Sequence, residues 1–266
     1  GNTSSIHRFG REASQQVEKA RAKIAESIGA KDSEIIFTSG GTEADNLAII
    51  GTALRRKDEG RHIVTTAIEH HAVLHSCEFL ETIGFEITYV PVGENGVIRV
   101  EDVKAALRDD TILVSVMFGN NEVGTIQPIA EIGALLKESP ISFHTDAVQA
   151  YGMIHFDVQQ LGADLLSTSA HKLNGPKGIG FLYVREGVKL TPLLYGGEQE
   201  KKSRAGTENV AGIVGFQTAV ELALATMETR WDEYIRFRKK MLDLFAEHEI
   251  SYRVNGEGAD MLPHIL

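Results

Sequence analysis

The sequence predicts an α/β protein: a mainly parallel seven-stranded sheet with helices on both faces and one antiparallel strand. Short β-branched runs alternate with amphipathic segments along most of the chain, the rhythm of βαβ units. The last two strands have only residues 169–178 between them and no helix, which suits an antiparallel pair better than a crossover. Length and composition agree. A chain of 266 residues, 42% hydrophobic and 24% charged, can bury a large core and reads as a soluble globular enzyme.

Taken in order, the first strand is Glu34–Thr38, followed by two glycines and a helix over Thr42–Arg56. His62–Thr66 is the second strand and His71–Thr82 its helix; Glu86–Val90 is the third, followed by Val100–Leu107. Ile112–Val116 leads to a helix over Pro128–Lys137. Ile141–Thr145, Asp164–Thr168 and Ile179–Val184 complete the sheet. From Glu208 to His248 one long helical pattern runs with few breakers, leading out towards another domain.

Charge and cysteine usage exclude several classes. With 37 acidic against 27 basic residues, the net charge of −10 disfavours a nucleic-acid or anionic-membrane partner. No apolar run reaches the roughly 18 residues of a membrane span, no signal-peptide pattern opens the chain, and one cysteine makes no disulfide framework. Cytoplasm is the expected location. The chain opens on a turn-like run, Gly1-Asn2-Thr3-Ser4-Ser5, and stops at Met261-Leu262-Pro263-His264-Ile265-Leu266, an apolar stretch entering a strand. It is expected to be a piece of a longer protein.

Polar clusters follow five of the strands. Ser39-Gly40-Gly41-Thr42-Glu43 opens a helix; its backbone N–H groups and the Thr42 hydroxyl suit an anion, though from these residues alone a glycine turn with a Thr cap is the stronger reading. It matches neither the P-loop nor the dinucleotide fingerprint. Glu69-His70-His71 places an imidazole where it could lie over a bound ring. His71 and His75 have the spacing of two metal ligands, but the metalloprotease glutamate is absent, so no metal is expected. Asn120-Asn121-Glu122 supplies amides; Asp146-Ala147-Val148-Gln149 supplies a carboxylate that either pairs with a ring nitrogen or caps a helix. Ser169-Ala170-His171-Lys172 carries a lysine between apolar elements. Burial there would favour a neutral amine able to attack a carbonyl; the other reading is a lysine snorkelling to water.

These clusters converge on one rim, the set a phosphorylated pyridine aldehyde requires. In order, Gly-Gly-Thr-Glu, Glu-His-His, Asn-Asn-Glu, Asp-Ala-Val-Gln, Ser-Ala-His-Lys and Arg204-Ala205-Gly206-Thr207 resemble the cysteine desulfurases, pyridoxal 5'-phosphate enzymes of the class V aminotransferase-like group. The resemblance runs over the whole chain. It implies the PLP-dependent transferase-like fold (fold type I), with a cofactor-binding large domain over 1–206 and, over 207–266, a connecting helix and the start of a small domain. It implies removal of sulfur from L-cysteine, leaving L-alanine and an enzyme persulfide for a sulfur-acceptor protein, in a homodimer. An aminotransferase or selenocysteine lyase on the same fold, or an idle scaffold that binds partners, are the alternatives.

The resemblance also assigns roles. Lys172 would hold the cofactor and move protons, and His70 would stack on the ring as an acid/base. Asp146 would pair with the ring nitrogen, while Gln149 and Asn121 would bond the phenolate oxygen. Gly41, Thr42, Ser169 and His171 would cup the phosphate, and Thr207 would reach the phosphate of the neighbouring subunit. The family's persulfide cysteine and its carboxylate-binding arginine correspond to positions after Leu266. The only thiol, Cys77, lies on a helical apolar stripe with Val73, Leu74 and Leu80 and is expected to be a core residue. This stretch alone is therefore expected to bind cofactor without turning cysteine over.

Overall fold

The structure, a computed structural model, describes residues 1–266. It opens with a helix the sequence reading had not placed, α1 (Arg8–Glu26), whose cap is His7: its Nδ1 accepts from the Gly10 N–H at 3.3 Å. The buried stripe of α1 is Ala13, Val17, Ala20 and Ile24, three and four residues apart as a core-facing helix requires. Two of those four are alanines, so the apolar signal is faint.

Strand and helix then alternate: β1 (Ile35–Thr38), α2 (Gly41–Arg56), β2 (His62–Thr66), α3 (His71–Thr82), β3 (Glu86–Val90), α4 (Val100–Ala106), β4 (Thr111–Ser115), α5 (Ile129–Leu136), β5 (Ser142–Asp146), the short α6 (Val158–Leu161), β6 (Leu165–Ser169) and β7 (Gly180–Val184). All seven strands form one sheet in the order β1-β7-β6-β5-β4-β2-β3. β2, β3, β4, β5 and β6 pair in parallel; β7 runs antiparallel to both neighbours, Ser169 opposite Gly180 on one side and Phe37 opposite Phe181 on the other. β5 and β6 each begin one residue later than expected, which makes Asp146 and Ser169 the last residues of their strands rather than loop residues.

Alternation within each strand sends side chains to two covered faces. Ile36, Leu165 and Leu182 pack with Ala44, Leu47 and Ala48 of α2, while Ile63 and Leu113 pack with Val73, Cys77 and Leu80 of α3. Their neighbours Phe37, Val114, Leu166, Phe181 and Tyr183 join the larger core on the opposite face, with residues of α1, α4, α5 and α6 and of the first C-terminal helix, α7 (Val210–Ala225).

The expected continuous helix from Glu208 to His248 is two helices, α7 and α8 (Met227–Glu247), bent by 69°. At the break, Thr226 leaves helical geometry (φ −114°, ψ 7°), and its Oγ1 donates back to the Leu222 carbonyl at 2.8 Å. Arg230 of α8 reaches across the joint and donates to Ala223 O at 2.8 Å and Gly152 O at 2.6 Å, satisfying a carbonyl the end of α7 exposes. α8 buries only Met227 and leaves Ile235, Phe237 and Leu244 exposed. No single helix is long and apolar enough to cross a membrane.

Candidate active site

Strand ends on the carboxyl side of the sheet build one cavity of about 290 Å³, the position where ligands bind in open α/β sheets. Gly41, Thr42 and Asp45 come from the α2 end, His70 from the turn after β2, and Met117, Gly119 and Asn121 from beyond β4. Asp146, Val148 and Gln149 come from the end of β5, and Ser169, His171 and Lys172 from the end of β6. Nine of the ten residues singled out in the sequence are thus brought together. Thr207 is not: it is exposed and outside this cavity.

One end of the cavity is an anion cradle. Gly40 turns the chain into α2 with φ 150°, in the region that favours glycine. The 16-residue α2 then points its first N–H groups and its positive dipole end at the space beside Thr42. A Cβ on Gly41 would lie 2.8 Å from Val148 Cγ2, so a side chain there would have to push Val148 aside. Ser169 Oγ, 2.8 Å from His171 Nδ1, adds a hydroxyl and an imidazole to the same end. Burial, then Lys172 and Lys177, push the His171 imidazole below its ordinary value. Behind the cradle, Glu43 accepts from Ser39 N at 2.7 Å and from Arg204 Nε at 2.7 Å, so the Arg204–Thr207 segment is tied to the turn that forms the cradle.

The floor is acidic. Asp146 is 5% exposed; its Oδ1 accepts from Val148 N at 2.9 Å. Burial raises its pKa, and the Val148 N–H, His70 and Lys172 pull it back towards the carboxylate. A turn at residues 148–150, not a helix, follows Asp146, so the helix-cap reading is not met; the bond to Val148 N closes that turn and orients a carboxyl that also lines the cavity.

Of the two readings left open for Lys172, the solvent-reaching one holds: Lys172 is exposed at the cavity, and its neighbours Ala170 and Leu173 are the buried ones. β6 ends at Ser169, and residues 170–173 form a 3₁₀ turn. In that geometry positions three apart share a face, so Ala170 and Leu173 turn inward and His171 and Lys172 outward. His70 caps α3, its Nδ1 accepting from Ala72 N at 3.1 Å, which leaves Nε2 for a ligand. Asn121 Nδ2 donates to Glu122 Oε1 at 2.9 Å, whereas Asn120 is structural: its Oδ1 accepts from Glu122 N and Val123 N at 2.9 and 2.7 Å. Gln149 Oε1 lies 3.3 Å from His264 Nε2.

The sequence reading missed a buried polar layer beneath the floor. Asp45 on α2 is 1% exposed, lines the cavity, and its Oδ1 has no hydrogen-bond partner. His144 on β5 is fully buried between two hydroxyls, Ser115 Oγ at 2.8 Å and Ser167 Oγ at 2.9 Å. Burial pushes that imidazole down to about 3. Glu69 is buried as well; Thr66 Oγ1 and Met117 N donate to its Oε1 at 2.6 and 2.9 Å, yet burial still pushes it up to about 8. The only sequence signal for Asp45 was its place one turn past Thr42.

Cys77 meets its expectation. It is 0% exposed against the sheet, and burial pushes its thiol up to about 12, so it presents no thiolate to the cavity. The rings of His71 and His75 stack at 5.1 Å, and no group of three or more potential ligands that could hold a metal exists in the chain.

A class-V aminotransferase family model matches residues 1–256. A Bacillus subtilis (strain 168) relative that carries the IscS name is 60% identical over 266 residues, all of this chain and 70% of that protein. The cysteine desulfurase IscS of Dictyoglomus turgidum is 52% identical over 99% of this chain and 67% of its own length. That of Methanosarcina thermophila is 54% identical over 91% and 60%. Among solved structures, a NifS-like protein superposes with a TM-score of 0.90 at 42% identity, covering 93% of this chain and 68% of that one. DndA from Streptomyces lividans gives 0.91 at 39%, covering 99% and 75%. The chain spans about two thirds of the length of these relatives. It belongs to the class-V aminotransferase family, among relatives named as cysteine desulfurases.

Proposed function

We propose that this protein is a pyridoxal 5'-phosphate-dependent cysteine desulfurase, and the observation that carries the reading is the convergence of an amine, a buried carboxylate and an anion cradle on one cavity. The residues fit the cofactor: a bare glycine backbone at a helix N-terminus suits its phosphate, and Asp146 below suits a cationic ring nitrogen. The bound cofactor would supply an electron sink for the substrate's α-carbon.

The chain's own groups divide the remaining work. Thr42, Ser169 and His171 hold the phosphate end; Asp146 keeps the ring nitrogen protonated; Gln149 and Asn121 bind the ring's phenolate oxygen. His70, with Nε2 free at the cavity, would stack on the ring and act as an acid/base. Lys172, exposed to the cavity, is the amine that would hold the cofactor and would move protons at the substrate α-carbon. The thiol that accepts the sulfur is not Cys77, whose burial removes it from reach; it comes from elsewhere in the protein, and an acceptor protein then takes the sulfur onward. The active unit is a homodimer in which the exposed Thr207 serves the partner's cradle.

Added pyridoxal 5'-phosphate is expected to give a visible absorption band and, after borohydride reduction, a mass increment on the peptide containing Lys172. Lys172→Ala is expected to lose both. Cofactor retained through reduction and dialysis in that variant would refute the assignment.

A further inference from the structure

Two carboxyls line the same cavity floor, one accounted for and one not. Asp146 receives the Val148 N–H and has the Lys172 ammonium among the groups acting on it. Asp45, on α2 opposite, receives nothing on Oδ1 and is 1% exposed. The nearest nitrogen to that oxygen, His144 Nε2 at 3.6 Å, is engaged with Ser167 Oγ and belongs to an imidazole kept neutral by burial. No cation therefore neutralises Asp45. The other charged groups that act on it, Asp146 on β5 and Glu69 from the turn after β2, are both acidic. Two buried carboxyls facing one site cannot both ionise cheaply, which favours one of them keeping a proton. Geometry decides which keeps the charge: Asp146 has a backbone donor and Lys172 near it, whereas Asp45 has only the Ser167 hydroxyl, which His144 also engages, so the proton stays on Asp45.

We propose that Asp45 and Asp146 form a carboxyl pair that holds one proton before the ring binds and releases it when a cationic ring arrives, so that cofactor binding is coupled to proton release. The inference rests on the reading of this cavity as a pyridoxal 5'-phosphate site. The balance is simple. The ring enters carrying its N–H⁺, which stays on nitrogen; the pair goes from one carboxyl and one carboxylate to two carboxylates; the proton leaves to solvent. Asp45 is thereby a positioning residue, adding a second negative charge under the ring that exists only while the ring is bound. The pair's charge then follows its ligand, and the fold escapes the cost of two unpaired buried anions when no ring is present.

The test is calorimetry of pyridoxal 5'-phosphate binding near neutral pH in two buffers of different ionisation enthalpy, which counts protons. It is made in a Lys172→Ala background so that lysine chemistry is absent from the count. Adding Asp45→Asn, which preserves shape, is expected to remove a release approaching one proton per site while binding persists. Equal counts with and without Asp45→Asn would overturn the pair but leave the cavity reading intact. Failure of the cofactor to bind even the protein that keeps Lys172 would overturn both. A second measurement needs no Asp45 variant: infrared difference spectra of the wild type, labelled with carboxyl-¹³C aspartate to separate it from Glu69. They are expected to lose a protonated aspartic-acid band when the cofactor is added, and a band that persists would refute the proposal.

Discussion

Beneath the cavity, Glu69 and His144 make stability depend on pH in opposite directions. Burial raises the Glu69 carboxyl from its ordinary 4.5 to about 8. Between those values the folded chain binds more protons than the unfolded one, so stability is lost as pH rises. His144 is lowered from 6.5 to about 3; there the unfolded chain binds more, and stability is lost as pH falls through that window. Glu69→Gln keeps the oxygen that accepts from Thr66 and Met117 and removes the titration. Its stability relative to wild type is expected to improve by up to about 1.4 kcal/mol per pH unit from pH 4.5 towards 8. Urea midpoints across that range measure it, and parallel profiles would contradict it. Residue-level legibility follows from position. Asp146, Ser169 and Lys172 could be read because strand ends collect ligands; Asp45 and Glu69 could not, since a carboxylate on a helix or in a turn normally faces water. The burial of Lys172 stayed open between two readings in the sequence, because the tight turn at 170–173 leaves no mark in the residue types.

Among the elements, α5 shows a magnitude deciding a sign. Gly133 lies inside this helix, where alanine normally gains about 1 kcal/mol over glycine. A Cβ at Gly133, however, would stand 1.9 Å from the Leu161 carbonyl oxygen at the end of α6. That contact is backbone, which cannot rotate away, so Gly133→Ala is expected to destabilise by about 1–3 kcal/mol net; thermal unfolding measures it, and a stabilised variant would refute the close packing of α5 on α6. The helices following β1 and β2 were legible almost to the residue because glycine and histidine punctuate their starts. The break between α7 and α8 was not, since Thr226 is neither proline nor glycine and the joint is held by Arg230. α1 escaped notice because its buried face is half alanine.

At the scale of the molecule, β–α alternation gave away the parallel sheet, and the missing crossover gave away β7. What sequence could not show is how distant segments lock. Arg21 of α1 donates with Nη1 and Nη2 to Glu200, each at 2.8 Å, across 179 positions, and Glu200 also accepts from Phe37 N of β1 at 2.9 Å. Glu200 takes left-handed backbone (φ 44°) to do so, a strain that persists only where contacts enforce it. Removing Arg21 leaves a buried anion, and Arg21→Ala is expected to cost about 3–5 kcal/mol in denaturant unfolding; a loss no larger than that of a surface pair would show the lock to be idle.

The burial of Cys77 has a practical corollary. It is the single sulfhydryl among the 266 residues and sits between α3 and the sheet at 0% exposure. A thiol reagent can reach it only during an opening that lifts this helical layer. At low reagent the modification rate reports the equilibrium population of that opening, and at high reagent its rate constant. The protein therefore carries a built-in chemical clock for the layer that bears Thr42, Asp45 and His70. Slower labelling on adding a ligand would time how firmly the ligand clamps that layer shut.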